Sequence, residues 1–331
     1  MTGGTLLLAI VVVAGIGFDF TNGFHDTANY VATWVGTRAL SPRPAVAVSA
    51  AANLAGAFVT TAVAKTVGQG IIDTGLATEK TVLAALIGAI AWNLVTWRLG
   101  LPSSSTHALI GGLIGAAFVQ SGTRGVQWAG VWQKVVLPGA ASPVIGFAGA
   151  FVLIVVIYRV FFRLTPGVAN RGFRTGQLLS GTWVAFTHGA NDAQKTMGVI
   201  ALALYTNGNI SHFYVPTWVK IAAGLAIGAG TYAGGWRIIR TLGQRIYNME
   251  PEHGFAAQLS AGSTLYLGTL FGFPISTTHV VTGAVMGAGA TRRFSAVKWG
   301  VAGNIVVAWV LTLPAAGLVA AALYYPVRWV F

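Results

Sequence analysis

Apolar positions along this chain gather into long runs separated by short polar stretches. A spanning helix needs about 20 mostly apolar residues. Runs of that kind cover residues 6–20, 44–64, 81–97, 135–158, 216–235, 255–273 and 299–324. The first is short alone but continues through a polar patch into 30–36, and a similar split run covers 177–186 and then 197–205. Two further apolar pieces, 108–119 and 280–290, are too short to span, and each follows a long run after a polar break at a proline. The pattern predicts an all-α polytopic membrane protein.

Composition narrows the picture. Of 331 residues, 55% are hydrophobic and 8% charged, against roughly a quarter charged in soluble domains, so a single water-soluble core is excluded. The net charge of +13 could suggest a nucleic-acid binder. However, the Lys and Arg residues sit in short loops between apolar runs and form no stripe, so no nucleic-acid partner is expected. Cysteine is absent, which removes disulfides and thiolate metal sites. Residues 1–5 lack the basic region of a cleavable signal, so the first run is expected to remain as a membrane segment.

The chain also repeats itself. Phe20-Thr21-Asn22-Gly23-Phe24-His25-Asp26-Thr27-Ala28-Asn29 aligns with Phe186-Thr187-His188-Gly189-Ala190-Asn191-Asp192-Ala193-Gln194-Lys195. Pro102-Ser103-Ser104-Ser105-Thr106-His107 aligns with Pro274-Ile275-Ser276-Thr277-Thr278-His279, and Gly111 and Gly115 answer Gly283 and Gly287. The pairs keep their order at offsets of 166 and 172 residues, the mark of a duplication. Repeat 1 is expected over 1–165 and repeat 2 over 166–331. Each holds an interrupted helix, a helix, a re-entrant helical hairpin and a final helix.

Basic residues mark the cytoplasmic side. If each hairpin returns to its own side, the inner loops hold Arg38, Arg43, Arg159, Arg163, Arg171, Arg174, Arg237, Arg240, Arg245, Arg292, Arg293 and Lys298. The outer side holds Lys65, Lys80, Arg124, Lys134 and Arg328. This excess predicts an inverted-topology repeat in the inner or plasma membrane with both termini outside.

The polar breaks carry the chemistry. Irregular backbone at membrane depth survives only where it is buried in protein or lines a cavity. In 102–107 the proline stops one helix, and Ser103, Ser104, Ser105 and Thr106 offer hydroxyl caps to the next. The freed N–H groups and positive dipole end of such a half-helix suit an oxyanion, and 274–279 repeats the device. Asp26 and Asp192 lie inside spans, where a carboxylate is costly and marks a functional site by default. Amides stand nearby: Asn22 and Asn29 for the first, Asn191 and Gln194 for the second. Carboxylate with amide oxygen is hard-cation or proton chemistry. Asp19, two turns before Asp26, is assigned a structural role. Lys195 stands where the first copy has Asn29, so its ammonium could replace a coupling cation, pair with Asp192 or Asp26, or contact the anion. For His25, His107, His188 and His279, a structural hydrogen bond and a proton relay remain equal alternatives. No His or Glu spacing makes a resident metal site, and no cofactor is expected.

These residues resemble the inorganic phosphate transporter (PiT) family, through 23–29, 188–192 and the two Pro-x-Ser-x-Thr-His strings. The resemblance covers nearly the whole chain. It implies a secondary active symporter that imports inorganic phosphate, alone or as a metal–phosphate complex, by alternating access coupled to protons or sodium. It assigns Ser104, Ser105, Thr106, Ser276, Thr277 and Thr278 to phosphate, with Gln194 and Lys195 placed beside them. Asn22, Asp26, Asn29, Asn191 and Asp192 go to the coupling ion, with Asp26 and Asn29 as the pair for a sodium ion. Asn-Asp-x-Gln-Lys at 191–195 departs from the Asn-Asp-x-Ala-Asn of sodium-coupled members and is similar to the bacterial proton-coupled branch, since a lysine repels sodium. A sulfate permease of the same fold, an anion channel and an intramembrane hydrolase using Ser105 or Thr277 with His107 or His279 are the alternatives. The expected partners are phosphate, protons or sodium, and membrane lipid. Gly- and Ala-rich spans suit close packing within one chain or in a homo-oligomer.

Overall fold

The computed structural model describes residues 3–240 and 249–331; Arg245, assigned above to an inner loop, lies outside the described residues. Helix α1 (Gly3–Asp26) runs into α2 (Ala28–Gly36), followed by α3 (Pro42–Gly56) and α4 (Ala62–Gln69). Helices α5 (Glu79–Leu99) and α6 (Ser105–Ser121) form a hairpin, and α7 (Leu137–Val160) is entered through a π-helical segment, Val131–Val136. Helix α8 (Pro166–Thr206) begins a second series: α9 (Thr217–Ala233), α10 (Trp236–Arg240), the hairpin α11 (Pro251–Leu270) and α12 (Thr277–Ala290), and α13 (Trp299–Val330). Among the described residues the only β pairing is the isolated bridge Ile72–Val126.

Both hairpins turn by the same local chemistry. After α5, Gly100 takes φ 67° and its N–H bonds the Trp97 carbonyl, while the Leu101 N–H bonds that of Thr96. After α11, Gly272 at φ 70° repeats the pattern with Thr269, and Phe273 with Gly268. This is the Schellman closure, which needs a residue tolerant of left-handed backbone. Ser104 then starts α6 by accepting the His107 N–H at 3.1 Å, and Ser276 starts α12 by accepting that of His279 at 3.3 Å. Each hairpin returns to where it began. Gln120 at the end of α6 donates to the Leu76 carbonyl and accepts from Thr81 of α5. Arg292 just past α12 meets Glu250 just before α11 at 2.6 Å.

The first and second series are interlocked. Hairpin helix α6 packs on α13, the last helix of the other series, and α12 packs on α7. The aligned glycines make these contacts. A Cβ on Gly111 or Gly115 would stand 2.2 or 2.0 Å from the carbonyl of Leu313 or Gly317. On Gly283 or Gly287 it would meet the carbonyl of Pro143 at 2.2 Å or Phe147 at 2.1 Å. Small residues permit this backbone approach, which is how helices associate where water supplies no drive.

The usual placement of polar and apolar side chains is reversed. Asp19, Asp26, Asp192 and Lys195 are fully buried, whereas Val144, Val152, Val307, Val310 and Leu318 on α7 and α13 face outward. Four helical stretches, Gly4–Gly36, Glu79–Leu99, Trp128–Val160 and Trp299–Val330, are long and apolar enough to cross a bilayer. Outward apolar surface with a charged interior identifies an integral membrane protein.

The interruptions differ from expectation in position. Helical bonding continues from α1 to α2 through Thr27, whose N–H and hydroxyl both bond the Gly23 carbonyl. Helix α8 runs unbroken through 186–195. The polar patches satisfy one another sideways and leave the helical ladder intact. Breaks fall instead at residues 57–61, between α3 and α4, and at 234–235, between α9 and α10.

Candidate functional site

The two hairpin tips meet the two Asp-bearing helices at the centre of the molecule. All six assigned hydroxyl residues, Ser104, Ser105, Thr106, Ser276, Thr277 and Thr278, are about 1% exposed. The centre is therefore sealed from both sides.

The hydroxyls aim at the aspartates in matched fashion. Ser105 donates to Asp26 Oδ1 at 3.3 Å, and Thr277, its aligned counterpart, donates to Asp192 Oδ1 at 3.2 Å. Three residues beyond each aspartate a side chain crosses to the opposite tip. Asn29 Nδ2 donates to Thr278 Oγ1 at 3.0 Å, and Lys195 Nζ donates to Thr106. Lys195 also bonds Asp192 Oδ1 at 2.7 Å and the Ile275 carbonyl at 3.2 Å. Thr106 bonds that same carbonyl at 3.3 Å, so one ammonium touches both tips and one carboxylate.

Histidine joins the carboxylates. His25 Nδ1 lies 2.7 Å from Asp26 Oδ1, while its Nε2 meets Thr96 at 3.2 Å. Ser103 donates to Thr96 at 2.8 Å and lies beside the same ring. His188 Nε2 stands 3.7 Å from Asp26 Oδ2 and 3.6 Å from Asp192 Oδ2, held by Asn53 Oδ1 at 2.6 Å from Nδ1. Asp26, His188 and Asp192 bring their ligating atoms within 4.8 Å of one another. This oxygen and imidazole set can carry a proton or hold a small cation.

Some assigned residues act differently. Gln194 is turned away from the anion site. Its Oε1 accepts from Val63 N at 2.9 Å and Ala64 N at 3.3 Å, capping the start of α4, and its Nε2 donates to Ala190 O. Ser104 and Ser276 accept N-cap bonds, which leaves them only an O–H to offer an anion. Asn22 donates Nδ2 to Asp192 Oδ2 at 3.3 Å, so it bridges toward the second aspartate and away from the first. Asn191 holds hairpin α11–α12 through Thr269 at 2.9 Å and the Phe273 carbonyl at 3.0 Å. Asp26 and Asn29, the expected sodium pair, contact different tips and share no hydrogen bond among the described residues. His107 and His279 face each other at 4.7 Å, and His279 stacks on Trp309 at 4.0 Å, behind the tips. Neither pairs with Ser105 or Thr277, as a hydrolase would need.

Sequence reasoning left His188 open and passed over Asn53, Thr96 and Thr269, while Ser103, expected as a helix cap, bonds Thr96 instead. His188 carried one usable signal: it lies four residues before Asp192, on the same helix face. The others contact the site only through chain-distant packing.

Residues 22–320 match the model of the Phosphate transporter family. A probable low-affinity inorganic phosphate transporter of Mycobacterium bovis is 50% identical over 320 residues, covering 96% of this chain and 77% of that one. One from Rhizobium meliloti is 48% identical with 97% and 96% covered, and one from Bacillus subtilis 40% identical with 98% of each. A solved structure titled "The sodium-dependent phosphate transporter" superposes with a TM-score of 0.91 at 27% identity, covering 98% of this chain and 100% of that one. With both the buried hydroxyl and carboxylate centre and this similarity in view, the chain belongs to the phosphate transporter family, a family of transporters and not of enzymes.

Proposed function

We propose that this protein is a proton-coupled symporter that imports inorganic phosphate by alternating access. Two inverted repeats, 1–165 and 166–331, cross the cytoplasmic membrane several times, with both termini outside. The observation that carries the reading is Lys195. Its ammonium is bound at once to Asp192, to Thr106 of one tip and to Ile275 of the other.

The mechanism follows from that arrangement. A phosphate seated between the tips receives hydroxyl protons from Ser105, Thr106, Thr277 and Thr278, and N–H groups from the starts of α6 and α12. Charge-assisted bonds of this kind are about twice as strong as neutral ones. Lys195 supplies the fixed positive charge facing the anion. Because the ammonium already occupies Asp192, a sodium ion is repelled there, and the remaining coupling chemistry is protonation of carboxylate or imidazole. Binding replaces the hydroxyl-to-carboxylate bonds with hydroxyl-to-phosphate bonds, which lets the tips part from the aspartates on one side at a time.

The test is labelled-phosphate uptake into proteoliposomes, with pH and sodium gradients imposed separately and sulfate as competitor. Accumulation driven by an inward proton gradient and unaffected by sulfate is expected. Accumulation that follows sodium at constant pH would overturn the coupling, and competition by sulfate would overturn the substrate.

A further inference from the structure

One fully buried charged residue takes no part in the mechanism above. Asp19 lies on α1, seven residues before Asp26 and three before Asn22. It is 0% exposed, and among the described residues neither carboxylate oxygen has a hydrogen-bond partner. Two side chains act directly on it, those of Thr196, on α8 next to Lys195, and of Asn22. Thr196 Oγ1 and Asn22 Oδ1 are themselves buried and lack a hydrogen-bond partner among the described residues. An unpaired carboxylate at membrane depth is costly, and such residues mark ion or proton pathways.

These three vacancies fit one another through a single proton. A carboxylic acid at Asp19 has one O–H to donate, and Asn22 Oδ1 needs a donor. The Thr196 hydroxyl has a hydrogen to give, and the second oxygen of Asp19 can accept it. A carboxylate would leave Asn22 Oδ1 facing negative charge with no hydrogen between them. Asn22 is already committed at its other end, where Nδ2 donates to Asp192 Oδ2. The amide therefore stands between two carboxyl groups and senses both.

We propose that Asp19 is a proton-carrying carboxyl of this transporter and that Asn22 connects its protonation to Asp192. This deepens the proton-coupled reading above and rests on it. The proton comes from water on the side where phosphate enters and forms an O–H bond at Asp19 that is donated to Asn22 Oδ1. The amide plane is thereby fixed with its nitrogen toward Asp192, the orientation that supports the Asp192–Lys195 pair at the hairpin tips. When the proton leaves to water on the other side, Asn22 Oδ1 loses its donor and turns from the carboxylate. Asp192 then loses one bond, and the Lys195 contact with both tips is altered. The charged groups acting on Asp19 are Asp192 and Lys195 of α8. Helices α5, α6 and α9 also pack on α1. They carry Glu79, Lys80, Arg98 and Lys220 in terminal turns and His107 at the start of α6, and α2 carries no charge.

The experiment uses the full-length protein in proteoliposomes with Asp19→Asn and Asp19→Glu. Asparagine imitates the protonated acid in size and neutrality but cannot release a proton. Asp19→Asn is expected to keep phosphate–phosphate exchange and to lose accumulation driven by an imposed pH gradient, while Asp19→Glu restores it. Infrared difference spectra across a pH titration should show a carboxylic-acid C=O band in the parent protein and in Asp19→Glu that is missing in Asp19→Asn. Normal pH-driven accumulation by Asp19→Asn would overturn the proposal. So would loss of exchange together with accumulation, since that marks a structural residue, and so would an unchanged band. The parent protein run in parallel separates the two ideas. If it ignores the pH gradient, the coupling reading itself fails; if it responds and Asp19→Asn responds equally, only the assignment of Asp19 fails.

Discussion

The surroundings of Asp26 and Asp192 share a plan and differ in charge. Each aspartate accepts a hydroxyl from an aligned tip residue, Ser105 or Thr277, and each helix sends the side chain three positions on to the opposite tip. Around Asp26 the partners are His25 and His188, with the neutral Asn29 three positions on; around Asp192 they are Lys195, His188 and the Asn22 amide. The geometry is twofold, and the electrostatics are one-sided. The Asp192 side holds an ammonium, while the Asp26 side holds an imidazole and a neutral amide. The lesson is that a symmetric scaffold can divide its labour by changing a single side chain.

Four experiments act on that contrast. Asp192→Asn removes the counter-charge of Lys195 and should abolish concentrative uptake in protein that remains monodisperse on size exclusion; normal accumulation would remove Asp192 from coupling. Ser105→Ala combined with Thr277→Ala deletes one hydroxyl from each side. At about 1–1.5 kcal/mol per bond, the apparent KM for phosphate should rise about 30- to 150-fold, and an unchanged KM would move the anion elsewhere. Lys195→Asn makes the second side resemble the first. Uptake without sodium should fall about tenfold, the worth of one such bond, and should become stimulated by a sodium gradient. If uptake stays indifferent to sodium, the lysine is not what excludes it. The smallest effect concerns symmetry itself. Ser104→Ala and Ser276→Ala each remove an N-cap worth about 1 kcal/mol, so thermal unfolding should shift down slightly and equally; unequal shifts would show that one tip bears more of the fold.

Most of this layout could be read in the sequence because the polar strings occur twice and prolines end helices for a simple steric reason. The hairpin turns were legible in principle too, since Gly100 and Gly272 stand at the same 172-residue offset as the tips they precede. What escaped was long-range. Polar residues within 20–29 and 186–195 suggested broken helices, yet their partners lie across the molecule and leave the backbone bonded. The real break at 57–61 lies inside the apolar run 44–64, and its cap, Gln194, is 131 positions from Val63. No local pattern shows such a bond. The site reading had the same character. Hydroxyls and aspartates were visible as motifs, but His188 between two carboxylates and the bridging Asn22 emerged only when both helices were in place.

The crossed glycine contacts bear on how the molecule is made. Helix α6 is backbone-close to α5 through Gly112 and to α13, the final helix of the second series, through Gly111 and Gly115. Until α13 is in place the face of α6 that carries Gly111 and Gly115 has no partner, and a partly built chain must cover it. Assembly therefore closes late and all at once, and cutting the polypeptide between its halves should yield two fragments that mature only when produced together.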